Sequence, residues 1–325
     1  MKTIPTSYCL RNWRDYNVSL VRRGSLTLWV DDEISSWWLC PDLSGRPGAS
    51  ETYSDRAIEA CLSLRILLRL PLRQTEGFVR SILCLMGLPL MVPDYTTLAR
   101  RQKTLPVALP VRPSDRGAGR HIVIDSTGLK IFGEGEWKVR KHGKERGKRR
   151  VWRKLHVSVD EKTGEVTGVT MTVGDAGDGP ELRELIQQSQ QNGGRIAQVS
   201  ADGAYDSWEI DRLLTEQGIV STIPPRKGSK IKQHGNSRKV PLQRDENLRQ
   251  IRKVGRENWA KESGYTRRSL AETHMMREKR MLGPGLMSRT TEAQTTECRL
   301  RCAVLNRLAH QGMPDSYPAC SNHAK

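Results

Sequence analysis

The chain has 325 residues, 36% of them hydrophobic, with 54 Lys/Arg against 36 Asp/Glu and a formal net charge of +18. That length supports a large core and two domains, and a balance that basic points to a polyanionic partner. No apolar run reaches membrane length and no signal-peptide core opens the chain; seven cysteines without a C-x-x-C pair exclude a disulfide scaffold and predict reduced, cytoplasmic thiols.

In chain order, residues 1–50 carry Trp13, Trp29, Trp37 and Trp38. Ser25–Val30 and Ile34–Leu39 read equally as short strands or helical turns. Ser54 predicts the cap of a helix from Asp55 to about Leu70, with Ile58, Leu62, Ile66 and Leu70 on one face. Pro71 separates it from a second helix, Leu72 to about Met86, and Asp94 caps a third, Tyr95–Lys103. Three short helices over 55–103 resemble a helix-turn-helix module, with Arg100 and Arg101 as candidate DNA contacts; a plain helical bundle is the competing reading. Pro106, Pro110, Pro113, Gly117 and Gly119 mark a boundary near 105–119.

His121–Asp125 predicts a buried strand whose apolar run ends in a carboxylate, and Ser126–Lys130 continues it. Leu155–Val159, a Gly164-containing turn and Val166–Val173 predict a hairpin. Pro180 opens a helix that Gly193-Gly194 ends. Ile196–Ala201 predicts a strand with Asp202 at its end, then a helix over Ile210–Gln217 and a strand over Gly218–Ile223. The order β-β-β-α-β-α-β-α predicts a mixed α/β sheet. Cys298 and Cys302, four apart on a last helix near Thr296–Leu308, read as packing residues, and the tail from Gly312 reads as loose.

The positive charge is concentrated. Residues 138–154 and 226–256 each carry a net +9 and together equal the whole excess. Lys141, Arg149 and Arg150 are the first segment's candidate DNA contacts, and the second segment reads as ordering only on binding.

Tyr265–Gly283 predicts one helix ended by Gly283-Pro284-Gly285. At about 100° per residue, Tyr265, Arg268, Glu272 and Lys279 share one face. An exposed helix laced with ion pairs competes with a functional face here. Asp125, Asp202 and Glu272, from three separate elements, can converge only at a sheet end covered by that helix. Carboxylates held so are oxygen ligands for Mg²⁺, and two such ions serve phosphodiester displacement. Asp175 and Asp178 are rival acids read as helix-cap residues; His156 and His274 are weaker candidates as bases.

Ile124-Asp125-Ser126-Thr127, Ala201-Asp202-Gly203-Ala204-Tyr205-Asp206 and Tyr265-x2-Arg268-x3-Glu272-x6-Lys279 resemble the DDE transposases of bacterial insertion sequences. The last stretch matches the signature of the Y-R-E-K, insertion-sequence-five-like group; Arg11-Asn12-Trp13 and Arg23-Gly24-Ser25-Leu26 extend the likeness upstream. The resemblance implies a ribonuclease-H-like mixed sheet with flanking helices over 116–311. A mainly helical DNA-binding region would precede it over 1–115 and a flexible tail would follow over 312–325. It implies that Asp125, Asp202 and Glu272 are catalytic and bind two Mg²⁺, with Mn²⁺ as a substitute. Tyr265, Arg268 and Lys279 would contact phosphates. The implied partners are double-stranded DNA (terminal inverted repeats and target) and a second copy of the chain, with no membrane, in the bacterial cytoplasm at the nucleoid. A nuclease on the same fold and a non-catalytic basic DNA-binding protein are the alternatives. An RNA-binding protein lacks its stacking aromatics here.

Overall fold

The computed structural model describes residues 8–31, 33–40, 52–113, 119–131, 152–174, 176–233 and 241–318. Strand β1 (Tyr8–Leu10) and helix α1 (Trp13–Arg22) precede a 3-10 turn at Leu26–Leu28 and a one-turn helix α2 (Ile34–Trp37). The two stretches that read equally as strand or helix are thus helical. Ser54 accepts from the Ala57 amide at the start of α3 (Asp55–Leu68), Pro71 precedes α4 (Leu72–Leu85), and Asp94 accepts from the Thr96 and Thr97 amides to start α5 (Tyr95–Arg101). These are the predicted helices, each ending one or two residues early. Helix α3 stops on Arg69, held left-handed at φ 54°, where Gly is the usual residue.

The sheet is built from β2 (Arg120–Ile131), β3 (Trp152–Asp160), β4 (Val166–Val173), β5 (Ile196–Ser200) and β6 (Val220–Ser221), in the spatial order β4-β3-β2-β5-β6. Strand β3 runs antiparallel to both β2 and β4, while β5 pairs parallel with β2 and β6 parallel with β5. Helix α6 (Glu181–Gly193) and α7 (Trp208–Glu216) provide the crossovers. Then follow α8 (Gln243–Val254), α9 (Arg256–Glu262), a 3-10 turn at Tyr265–Arg268, α10 (Ser269–Leu282), β7 (Gly285–Leu286), α11 (Thr291–His310) and β8 (Ser316–Pro318). The predicted single helix over Tyr265–Gly283 therefore opens as a 3-10 turn. Gly264, at φ 75°, breaks it from α9. The second basic segment is helical over most of its described part.

Alternation along β2 sorts its side chains between two cores. Ile122 and Ile124 pack with Leu182, Leu185, Ile210 and Leu214 of α6 and α7. Val123 and Leu129 pack on the other face with Ala271 and Met275 of α10 and with Cys298 and Cys302 of α11. The two cysteines are buried packing residues, as expected.

Helix α11 is covered on its far side as well. Its Leu300, Ala303, Val304 and Leu305 join Ile58, Leu62, Ile66, Leu83 and Leu98 of α3, α4 and α5 in one core. The N-terminal helices thus rest directly on the last helix of the sheet domain. The start of the expected loose tail is tied down too: β8 pairs antiparallel with β1, and the Arg11 amide donates to the Asp315 carbonyl at 2.8 Å. No described helix is long and apolar enough to cross a membrane.

Candidate active site

The site lies at a gap in the sheet edge. The parallel pairing of β2 with β5 ends at Val123↔Ser200, and β7 takes up the same edge of β2 only at Lys130↔Gly285. Between them β2 continues because β3 holds its other edge, from Ile122↔Asp160 to Lys130↔Trp152. Asp125 is therefore in mid-strand, with Ser126–Lys130 continuing β2 as expected, although the apolar run itself ends at the acid. It is nevertheless the second residue past the last β2–β5 pair, and Asp202 is likewise the second residue past Ser200, where β5 ends. The two acids leave the parallel pair in equal register.

By alternation Asp125 faces the α10 side, with Val123. Its Oδ1 accepts from the Ser126 amide at 2.8 Å, and its Oδ2 lies 3.3 Å from Nη1 of Arg268. Arg268 Nη2 donates to Oε1 of Glu272 at 2.5 Å, one turn along. One guanidinium thus spans two of the three predicted acids. Burial pushes the Asp125 carboxyl up; the Ser126 amide and Arg268 pull it down, and the charges of Asp202 and Glu272 push it up again. Glu272 remains 54% exposed at the helix surface.

Asp202 begins a 3-10 turn, Gly203–Tyr205, and accepts from the Ala204 amide at 2.8 Å. Two residues of the second basic segment clamp that turn. Arg226 donates to the carbonyls of Gly203 and Ala204, and Arg244 donates through Nε to Asp206 at 2.6 Å. Sequence reading missed both, although Asp206 in the quoted run is the acid that recruits them. Tyr205 is buried; burial raises its phenol, and so do the charges of Asp178, Asp125 and Asp202.

The remaining face residues are placed as follows. Lys279 Nζ donates to Thr127 Oγ1 of β2 at 2.6 Å. Arg268 Cζ lies 5.9 Å from the Tyr265 ring centre, and that ring packs on buried Trp259 at 5.6 Å. Burial raises the Tyr265 phenol, and Asp202 adds to the effect, so it stays a protonated donor. Burial alone would lower the Arg268 pKa, but Tyr265, Asp125, Glu272 and Asp202 together raise it.

Other candidates fall elsewhere. Arg100 is exposed, whereas Arg101 turns inward, donating to Asp55 at 2.6 Å and to the Tyr53 carbonyl at 2.8 Å. Both bonds tie the end of α5 to the start of α3. Asp178 pairs with Lys154 at 2.6 Å and approaches the buried ring of His156 at 3.3 Å, so it braces β3 rather than capping α6. His274 is buried and burial lowers it to about 4, which leaves it neutral in the core. Lys141, Arg149, Arg150, Trp137 and Asp175 lie outside the described residues.

The oxygen-only donor set of Asp125, Asp202 and Glu272 suits a hard divalent cation. Among the described residues, however, no three acids, histidines or cysteines stand close enough together to hold one. Arg268 stands between two of the three, 3.3 Å from Asp125 and 2.5 Å from Glu272.

The sheet order and the acids at its parallel edge define a ribonuclease-H-like domain with a carboxylate site. A family model described as "Transposase DDE domain" matches residues 116–307, and a second with the same description matches residues 21–134. The chain belongs to this family of DDE transposases, whose members generally use divalent metal ions. Three solved structures are similar at low identity. A piggyBac transposase synaptic complex with hairpin DNA is 13% identical, covering 90% of this chain and 76% of that one, with a TM-score of 0.38. A simian T-cell lymphotropic virus intasome, in complex with a PP2A regulatory subunit, is 15% identical over 65% and 64%, with a TM-score of 0.25. The Drosophila P element transposase strand transfer complex is 15% identical over 63% and 43%, with a TM-score of 0.29. The chain therefore spans less than two thirds of the length of two of these three.

Proposed function

We propose that the protein is the transposase of a bacterial insertion sequence of the Y-R-E-K group. It cuts DNA at the element ends and joins the freed 3′-hydroxyl to target DNA. The observation that carries this reading is the equal register of Asp125 and Asp202 beside the sheet gap, with Arg268 linking Asp125 to Glu272 across it.

Asp125, Asp202 and Glu272 would hold two Mg²⁺, or Mn²⁺ in their place. Held there, these ions would supply Lewis acidity towards the attacking and leaving oxygens. The chain's own groups do the rest. Arg268, whose fork bridges two carboxylates, turns that fork to a backbone phosphate once the carboxylates have another cation. Lys279, fixed to β2 through Thr127, supplies a point charge about two turns from Glu272. Tyr265 stays protonated and donates to a phosphate oxygen. Arg226 and Arg244 hold the Asp202 turn in place. No side chain attacks the phosphorus, so no covalent enzyme–DNA adduct forms.

Residues 116–311 form the catalytic domain and 1–115 the end-reading region, in which Arg100 on α5 is the exposed basic candidate. Lys141, Arg149 and Arg150 add phosphate contacts from the segment between β2 and β3. Two ends must be brought together, so two copies act on one element.

The test is incubation of the full chain with the DNA flanking its reading frame, with and without Mg²⁺. Metal-dependent cleavage followed by joined products is expected. Cleavage without joining would make it a nuclease, and binding without cleavage would make it a DNA-binding protein.

A further inference from the structure

Away from the carboxylates, a cavity of about 560 Å³ lies between the N-terminal helices and the β7–α11 connection. Its size is that of a small-molecule site. Its charged lining is wholly cationic: Arg65, Arg69, Lys103 and Arg289. Arg69, Lys103 and Arg289 are exposed at the rim, and Arg65, 4% exposed, lies at the floor. An apolar wall of Pro71, Leu72, Ala99, Met287 and Ala293 completes it.

Arg65 is the informative residue. Its Nε and Nη1 are sealed off from solvent without a hydrogen-bond partner, so Nη2 is the nitrogen that can face the cavity. A guanidinium keeps its charge almost anywhere, and buried donors left unmet are costly. Burial lowers its pKa, and only the charge of Glu297 opposes this. Glu297 acts on it only through charge: its carboxylate is held by the amides of Met287 and Ser288, each at 2.8 Å, and neither Nε nor Nη1 of Arg65 bonds to it. Gln102, also on the floor, is fixed to Ser288 Oγ at 2.8 Å and to the Ala293 carbonyl at 3.1 Å. The floor is thus rigid, with one cation whose donors are unmet.

We propose that this cavity binds a nucleotide, its phosphate on Arg65 between Arg69 and Lys103 and its base against Leu72 and Met287. A bare anion would have no use for the apolar wall, and an apolar ligand would leave Arg65 unmatched. The same chemistry is offered by a soluble mononucleotide and by an unpaired nucleotide of a DNA strand. The inference does not rest on the carboxylate site.

Calorimetric titration of the full chain separates these cases. The probes are AMP, deoxyadenosine, inorganic phosphate, and a duplex with one unpaired adenosine or an abasic residue in its place. The variants are Arg65→Gln and, at the exposed rim where folding is undisturbed, Arg69→Gln and Lys103→Gln. AMP is expected to bind more tightly than deoxyadenosine or phosphate, and each rim variant to weaken it roughly tenfold. If instead the unpaired-adenosine duplex outbinds the abasic one and the variants abolish that difference, the occupant is a DNA nucleotide. If phosphate equals AMP, or if neither AMP nor the duplex difference responds to any variant, the proposal is overturned.

Discussion

Lys279 on α10 donates a 2.6 Å hydrogen bond to Thr127 on β2, two residues along the strand from Asp125. The contact fixes where the ammonium stands relative to the acids, across the gap in the sheet edge. Lys279→Ala should reduce joining about a hundredfold through misplaced DNA. Lys279→Arg should be partly tolerated, and Thr127→Ala should have a smaller effect than Lys279→Ala. Arg280, exposed on another face of the same helix, is the control. Equal losses for Lys279→Ala and Arg280→Ala in a strand-transfer assay would mean that α10 offers a diffuse basic surface.

Arg268 competes with any other cation for Asp125 and Glu272. Arg268→Ala should therefore bind Mn²⁺ at least as tightly as the parent, read by calorimetry, while joining is lost. Arg268→Lys should also fail to join, because an ammonium cannot reproduce the fork. Loss of Mn²⁺ affinity by about tenfold in Arg268→Ala would show instead that the guanidinium shapes the ion site.

Burial raises the Asp125 carboxyl above its ordinary value even with Arg268 beside it. A raised acid leaves stability intact below its unfolded pKa and removes it as pH rises through the folded one. Asp125→Asn should therefore be inactive yet more stable at pH 7, by about 2–4 °C in Tm for each kcal/mol relieved. The gain should fade as pH drops towards the ordinary carboxylate range near 4. A melting series from pH 7 to pH 4 that showed a constant or growing gain would contradict this account.

Arg301 is fully buried. It donates to Glu278 and to the carbonyls of Leu282, Gly283 and Gly285, closing the C-terminal end of α10. Arg301→Met would strand a buried carboxylate and three carbonyls, at a cost of about 3–5 kcal/mol. Denaturant unfolding should show that loss, and Glu278→Gln combined with Arg301→Met should recover part of it. No recovery in the double variant would place the main cost in the carbonyls.

Much of the arrangement is legible in the residues because apolar periods and caps are local signals. Ser54 and Asp94 start their helices, and the hairpin and crossover order follow from the pattern. Elements of two or three residues, such as β1, β7 and β8, carry no period and are defined only by distant partners. Asp125 ends an apolar run, and the strand is legible beyond it through Ser126–Lys130; the pairing with β3 that holds this polar stretch extended is not. The site acids stand out because each follows an apolar strand or shares a helix face. Arg226 and Arg244 do not, since a basic stretch does not reveal which of its members turn back onto the fold. Arg101 errs the other way: adjacent to exposed Arg100, it differs only in the angle it takes on α5.

The core that α11 shares with α3, α4 and α5 has a consequence for inheritance. A copy of the reading frame cut short before residue 291 would lack the floor on which its N-terminal helices rest. Such a fragment would not persist as a folded unit, so a truncated chain would fall silent instead of competing with intact copies for whatever both bind.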